Sequence, residues 1–144
     1  MTLQQTDVGR GQVTTGASQR SPEIFIPLAA RNEQPAFWDY PHAFTEDSRR
    51  PGKLDRTGVR MLLGATVVDV NMMTWPVKHD FRLRSEALRS AGHVGDILRI
   101  ERTDGVRGYT YHVTIIPNGS ALYPVMKAQC VNPVRNSDKA WGYV

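Results

Sequence analysis

Between Asn71 and Arg84 the chain collects hydrogen-bond donors, an indole and several cations in one short stretch. The run Asn71-Met-Met-Thr-Trp-Pro-Val-Lys-His-Asp80 reads as the polar tip of a long hairpin. It follows the strand-like Thr66-Val-Val-Asp-Val70 and returns through Phe81-Arg-Leu-Arg84. Side chains alternate along a strand, so Phe81 and Leu83 take one face and Arg82 and Arg84 the other. The guanidinium group is a planar fork of donors that matches phosphate oxygens and the edge of guanine. A two-stranded ribbon with arginines behind its tip therefore has the form that the major groove of DNA admits. The same pattern also suits a solvated hairpin, with Arg82 and Arg84 paired to Asp80 or Glu86 and Trp75 capping the core edge.

Residues for bond-breaking chemistry are scattered. Phosphodiester hydrolysis calls for clustered carboxylates around a metal, or a histidine with a lysine nearby. No acidic residue is followed two positions later by lysine, and none of His42, His79, His93 and His112 has a lysine two residues on. The chain contains neither a glycine-rich phosphate loop ending in Lys-Ser or Lys-Thr nor a serine nucleophile elbow. Asp69 and Asp80 could face each other across the hairpin, but Asp69 reads as a solvated strand residue and Asp80 as an orienting partner for an arginine or an acceptor for a cytosine amine. The expectation is a binding domain without its own catalysis, cofactor or metal.

Composition agrees with an anionic partner. The chain of 144 residues is the size of one domain, with a net charge of +4 and a sequence pI near 9.5. Arginine outnumbers lysine, 14 to 4. The single cysteine, Cys130, excludes an intrachain disulfide framework and a cysteine-rich zinc site. Met1 to Asp7 has neither the basic nor the apolar region of a secretory signal, and no apolar run is long enough to span a bilayer. A soluble cytoplasmic protein is expected, with no membrane partner.

The elements that must position these residues are mostly strands. Residues 1–21 are polar and glycine-dotted, and are expected to be a flexible arm or the remnant of a linker, with 22–144 as the folded domain. Glu23 to Leu28 is the first strand, closed by Pro27. Pro35 to Pro41, with Phe37, Trp38 and Tyr40, should pack an irregular turn or short helix on the core. Thr45 to Thr57, carrying Arg49, Arg50, Lys53 and Arg56, reads as a charged surface loop. Val59–Leu63 and Ala65–Val70 are strands parted by Gly64. Ser85 to Gly92 is a short helix with Ser85 as N-cap and Gly92 as terminator. Ile97–Glu101 and Tyr109–Ile116 are strands, Ala121–Val131 a final strand or two, and Trp141 docks the tail. The core should contain Ile24, Ile26, Phe81, Leu83, Leu98, Ile100 and Ile115. This adds up to a mainly β fold, an open or pseudo-barrel.

The order of these pieces resembles the B3-type DNA-binding pseudobarrel, on Pro22-Glu-Ile-Phe-Ile-Pro-Leu28, Phe37-Trp38, Trp75 to Asp80, Phe81-Arg-Leu-Arg-Ser85 and Gly95-Asp-Ile-Leu-Arg-Ile100. Plant transcription factors and the specificity domains of certain prokaryotic restriction endonucleases share that fold. The chain looks most like the C-terminal domain of those restriction enzymes whose catalytic part is a phospholipase D-type nuclease. The resemblance runs from about Val13 to the C-terminus. It implies a seven-stranded open pseudobarrel with two short helices, and sequence-specific recognition of double-stranded DNA through the major groove by two arms. The parent chain is then expected to carry the nuclease domain.

The N-terminal arm maps to Val13 through Arg20 and offers Thr14, Thr15, Ser18, Gln19 and Arg20. The C-terminal arm maps to Asn71 through Arg82 and offers Asn71, Thr74, Trp75, Lys78, His79, Asp80 and Arg82, with Arg84 just behind. Plant members carry a Trp-Asn pair on that arm, whereas this chain has Trp75 followed by Pro76, so that asparagine contact does not carry over. Gln19, Arg20, Lys78, His79 and Arg82 are the expected readers of base edges or flanking phosphates. Arg49, Arg50, Lys53 and Arg56 form a solvated basic loop that would contact phosphate if it contacts DNA at all. Both arms are expected to order on the duplex. The competing expectation is a protein-interaction β-domain of a larger complex, without base readout.

Overall fold

The computed structural model describes residues 1–8, 22–76 and 81–144. Its body is a seven-stranded sheet that curls into an open half-barrel. The strands are β1 (Glu23–Ile26), β2 (Thr45–Glu46), β3 (Leu54–Leu63), β4 (Thr66–Thr74), β5 (Phe81–Arg84), β6 (Ile97–Arg102) and β7 (Tyr111–Ile116). Their order is β1-β5-β4-β3-β7-β6, with β2 paired to β3 beside this path. Every pairing is antiparallel except β3 with β7. A small second sheet joins β8 (Asn132–Pro133) to β9 (Ala140–Trp141). The mainly β, open-barrel expectation is met at this level.

More helix is present than expected. The described residues form α1 (Gln5–Val8), α2 (Leu28–Glu33), α3 (Glu86–Ala91) and α4 (Tyr123–Ala128), with a 3₁₀ turn at Pro35–Trp38. The two expected helical pieces are α3 and the 3₁₀ turn, and the Ser85 hydroxyl accepts from the Leu88 amide at 3.3 Å, the predicted N-cap. The α4 helix replaces the strand expected at Ala121–Val131. Pro124, in its first turn, suits a helix start and could not donate to a ladder. Leu28-Ala-Ala-Arg31 are strong helix formers, and they turn the chain into α2 directly after Pro27.

The central hairpin is longer than its hydrophobic pattern indicates. Leu63 pairs with Thr66 across the two-residue link Gly64-Ala65, and β4 continues through Asn71–Thr74 to pair with β5. These four residues were expected in the loop, but Met72 and Thr74 are fully buried. Across from Asn71, β3 carries a bulge between Arg56 and Val59. Gly58 holds a left-handed φ of +65° there, and its N–H donates to Asn71 Oδ1 at 3.0 Å. The Thr45–Thr57 segment is likewise not a plain loop, since β2 and the start of β3 lie within it.

Inside the curl, Ile24, Met61, Val70, Met72, Phe81, Leu83, Leu88 and Leu98 are closed to solvent, and Ile100 and Ile115 pack against them. Phe37, Trp38, Tyr111 and Tyr143 form a ring cluster at one side, and Trp38 meets Phe81 edge-on at 4.8 Å. Trp141 is buried, as expected of the tail anchor.

Met1–Val8 belong to the folded body rather than to an arm. Leu98 N–H donates to Met1 O and Leu3 N–H to Asp96 O, both at 2.8 Å, so the first residues run along the open edge of β6. On the other side Thr2 N–H donates to Ala140 O at 2.9 Å. Leu3 is completely buried, which contributes about 1.5–3 kcal/mol for a side chain of this kind. The remainder of the expected arm, residues 9–21, lies outside the described residues.

Two carboxylates tie loops to this frame. Burial works against the charge of Asp96, but amide donors from Asn118 (2.9 Å) and His93 (2.8 Å) hold its pKa below the ordinary value. Burial also opposes the charge of Asp39, and Arg102 at 2.7 Å with Arg56 at 2.9 Å overcomes it and lowers the pKa. A carboxylate depressed in the folded state stabilises above its unfolded pKa and ceases to do so as pH falls through the folded one. Stability is therefore expected to be level from about pH 7 to 5 and to fall below about pH 4, as these carboxylates protonate. Denaturant titrations of the wild type and of Asp39→Asn and Asp96→Asn check this. Each variant should be less stable at neutral pH and lose less on acidification.

Candidate functional site

The outward face of β1, β5 and β4 follows from strand alternation. With Ile24, Ile26, Phe81, Leu83 and Met72 turned into the barrel, their neighbours form cross-strand rows outside it. One row is Glu23–Arg84–Asn71, and the next is Phe25–Arg82–Met73. The guanidinium of Arg82 lies 5.2 Å from the ring centroids of both Phe25 and Trp75, and Nη1 donates to Glu23 Oε2 at 3.1 Å. Two rings and a carboxylate thus fix the plane of a guanidinium that is still partly open to solvent, 28% by its side chain. Arg84 is exposed and makes no ion pair among the described residues.

Two segments attach to this face at opposite ends. The chain re-enters the described structure at Pro22, whose carbonyl accepts from Ser85 N–H at 3.0 Å, beside the Glu23–Arg84 end. Residues 77–80 connect Pro76 to Phe81 at the Ile26–Phe81 end. The segments that the resemblance names as arms are therefore joined to the two ends of one strand pair, about 10 Å apart at roughly 3.3 Å per residue.

The root of the second segment is held by a residue that the sequence reading missed. Arg31 in α2 is 1% exposed, and its Nη1 donates to Thr74 Oγ1 (2.6 Å) and Trp75 O (2.8 Å). Nη2 donates to Pro76 O (3.0 Å) and Asn32 Oδ1 (2.8 Å), and Nε to Asn32 Oδ1 (3.1 Å). The Tyr40 ring lies 4.1 Å from its guanidinium carbon. Desolvation lowers the Arg31 pKa from its ordinary value. The only advance signal was a lone arginine between Ala30 and Asn32, in a stretch not read as helix.

The candidate residues divide accordingly. Trp75, Arg82 and Arg84 share the outer face. Asn71 is exposed beside them, but its side-chain oxygen is engaged by the bulge at Gly58. Thr74 is fully buried under the hairpin, so it supports the turn from inside. Thr14, Thr15, Ser18, Gln19 and Arg20, with Lys78, His79 and Asp80, lie outside the described residues.

The basic run also splits. Arg49 and Arg50 are exposed, whereas Lys53 is buried between Asp47 (3.3 Å) and Asp55 (2.9 Å). Arg56 is bound to Asp39, the Trp38 carbonyl and the Tyr111 hydroxyl. Lys53 and Arg56 hold the fold together rather than facing outward as phosphate contacts would. Among the described residues no group of three or more histidine, cysteine or acidic side chains is placed to hold a metal ion. Nor does any described helix have the length and apolarity to cross a membrane.

No family model matches this chain, and comparison with curated proteins finds no significant relative.

Proposed function

We propose that this chain recognises double-stranded DNA sequence-specifically through the outer face of β1, β5 and β4. The observation that carries the reading is the Phe25–Arg82–Trp75 stack, set between two segments anchored at opposite ends of the β1–β5 pair. A planar donor fork held by rings and a carboxylate is suited to a base edge, and an exposed arginine one row away is suited to phosphate. In finer form, the domain is a B3-type specificity module. Its two arms, 13–20 and the connection that begins at Trp75 and ends at Arg82, enter the major groove, and a nuclease domain in a longer parent chain makes the cut.

A gel shift against a randomised duplex pool at graded salt tests this. A short motif should be selected. Arg82→Ala should lose about 1–3 kcal/mol at one position of that motif. Arg84→Ala should weaken all duplexes alike and reduce the salt slope by about one unit. Binding that stays weak and blind to sequence at every salt concentration contradicts the proposal.

A second reading, a protein-interaction β-domain, draws on a different surface. Leu122 and Val125 around α4, and Val131 just beyond it, are about half or more exposed. Such residues suit a protein contact better than a nucleic-acid one.

A further inference from the structure

Arg31 is an unusual arginine for its depth. All five of its N–H donors are used, and every acceptor is a neutral oxygen of Asn32, Thr74, Trp75 or Pro76. Among the described residues no carboxylate is within ion-pair distance of it, although Asp39, Asp7 and Asp47 each hold a cation elsewhere in the fold. A buried cation without a counter-ion is costly, and its neutral replacement is often tolerated or stabilising when the cavity is filled. What a guanidinium supplies that an apolar side chain lacks is direction. Its flat fork fixes two successive carbonyls, Trp75 O and Pro76 O, and a side-chain hydroxyl, all within three residues. Those three residues are where β4 ends and the chain leaves the sheet. The fork therefore holds Trp75 and Pro76 at the end of β4, and with them the seat of Trp75 against Arg82.

We infer that Arg31 is a positioning residue for recognition: from inside the barrel it orients Trp75 and Pro76 at the end of β4 and the Trp75–Arg82 contact, and so sets selectivity without touching the ligand. The inference rests on the DNA-reading proposal for its consequence, but the orienting role itself is a property of the free protein. It accounts for two features at once. Thr74, polar yet fully buried, serves as an acceptor for the fork, and Asn32, on the exposed side of α2, holds the guanidinium in plane through Nε and Nη2. Lysine would keep the charge and lose the fork, since an ammonium has no fixed plane.

The test uses Arg31→Lys, with Asn32→Ala as a second variant because Asn32 is exposed and its loss leaves the core intact. Without DNA, acrylamide quenching of tryptophan fluorescence reports on Trp75, because Trp38 and Trp141 are only 3% and 6% exposed. Both variants should raise the quenchable fraction while near-ultraviolet circular dichroism stays native. With DNA, the preference for a selected duplex over a scrambled one should fall about tenfold for Arg31→Lys, the scale of one lost directional contact. Affinity for the scrambled duplex and its salt slope should stay at wild-type values. Unchanged quenching in both variants overturns the orienting role. Altered quenching with specific and scrambled binding reduced by one common factor overturns the link to selectivity. If the wild type itself shows no preference between duplexes, the DNA reading falls, and the quenching result still decides what Arg31 does.

Discussion

Asp7→Ala is expected to destabilise the protein by about 3–5 kcal/mol, the range for stranding one member of a buried ion pair. The Asp7 carboxylate is completely buried and accepts from Lys139 Nζ at 2.8 Å, Phe25 N–H at 2.9 Å and Gln4 N–H at 2.8 Å. Lys139 is buried as well, and it also donates to Phe25 O at 2.6 Å. One carboxylate and one ammonium thus bind the N-terminal segment, the outer edge of β1 and the approach to β9. They also occupy the Phe25 N–H and C=O that an unprotected edge strand would offer to another chain. Alanine at position 7 leaves the ammonium without its partner and the Phe25 N–H without an acceptor. Equilibrium denaturation should show the loss, and Tm should fall by roughly 10 °C. Asp7→Leu combined with Lys139→Met should recover the part due to the stranded charge, while the Phe25 N–H and C=O stay without their partners. A loss below about 1 kcal/mol for Asp7→Ala would mean that the pair is not closed to water.

Gly142→Ala should do at least as much damage by a different route. A Cβ at this position would overlap the carbonyl oxygen of Gln129 and lie 3.1 Å from its carbonyl carbon. The obstacle is backbone, so no rotamer change relieves it, and the segment after β9 must separate from the end of α4. A loss above about 4 kcal/mol, or failure to accumulate folded protein, is expected. Gly92→Ala provides the control. Its Cβ would come within 2.6 Å of Leu3 Cδ1, the far end of a side chain that can shift, so a cost of about 1–3 kcal/mol is expected. Equal losses for the two variants would show that the Gly142 contact yields as readily as a side chain.

How far the fold could be read in advance depended on whether a segment carried its own pattern. Phe81-Arg-Leu-Arg84 alternates and Ser85 to Gly92 is capped, and both formed as expected. The barrel core followed from the same alternation. Asn71–Thr74 carried the wrong local signal, because Asn71 serves the β3 bulge and Thr74 serves Arg31, and both partners are remote in sequence. Met1–Val8 looked like an arm for a similar reason. Thr2 and Asp7 are polar but buried, satisfied by Ala140 and Lys139 more than a hundred residues away. Arg56 read as surface charge because its partner Asp39 comes from the turn after Trp38, 17 residues away, and Lys53 because nothing in its local pattern shows that Asp47 and Asp55 close over it. At the candidate site, the alternation of Arg82 and Arg84 was legible, whereas the rings around Arg82 came from β1 and the hairpin turn.

The proposal that the β1–β5–β4 face reads DNA is tested most directly by following backbone amide shifts as a selected duplex is titrated into the labelled protein. The account predicts the largest changes at Phe25, Trp75, Arg82 and Arg84, with Leu122, Val125 and Val131 unmoved. Changes centred on α4 and Val131, with Phe25 and Arg82 silent, would contradict it.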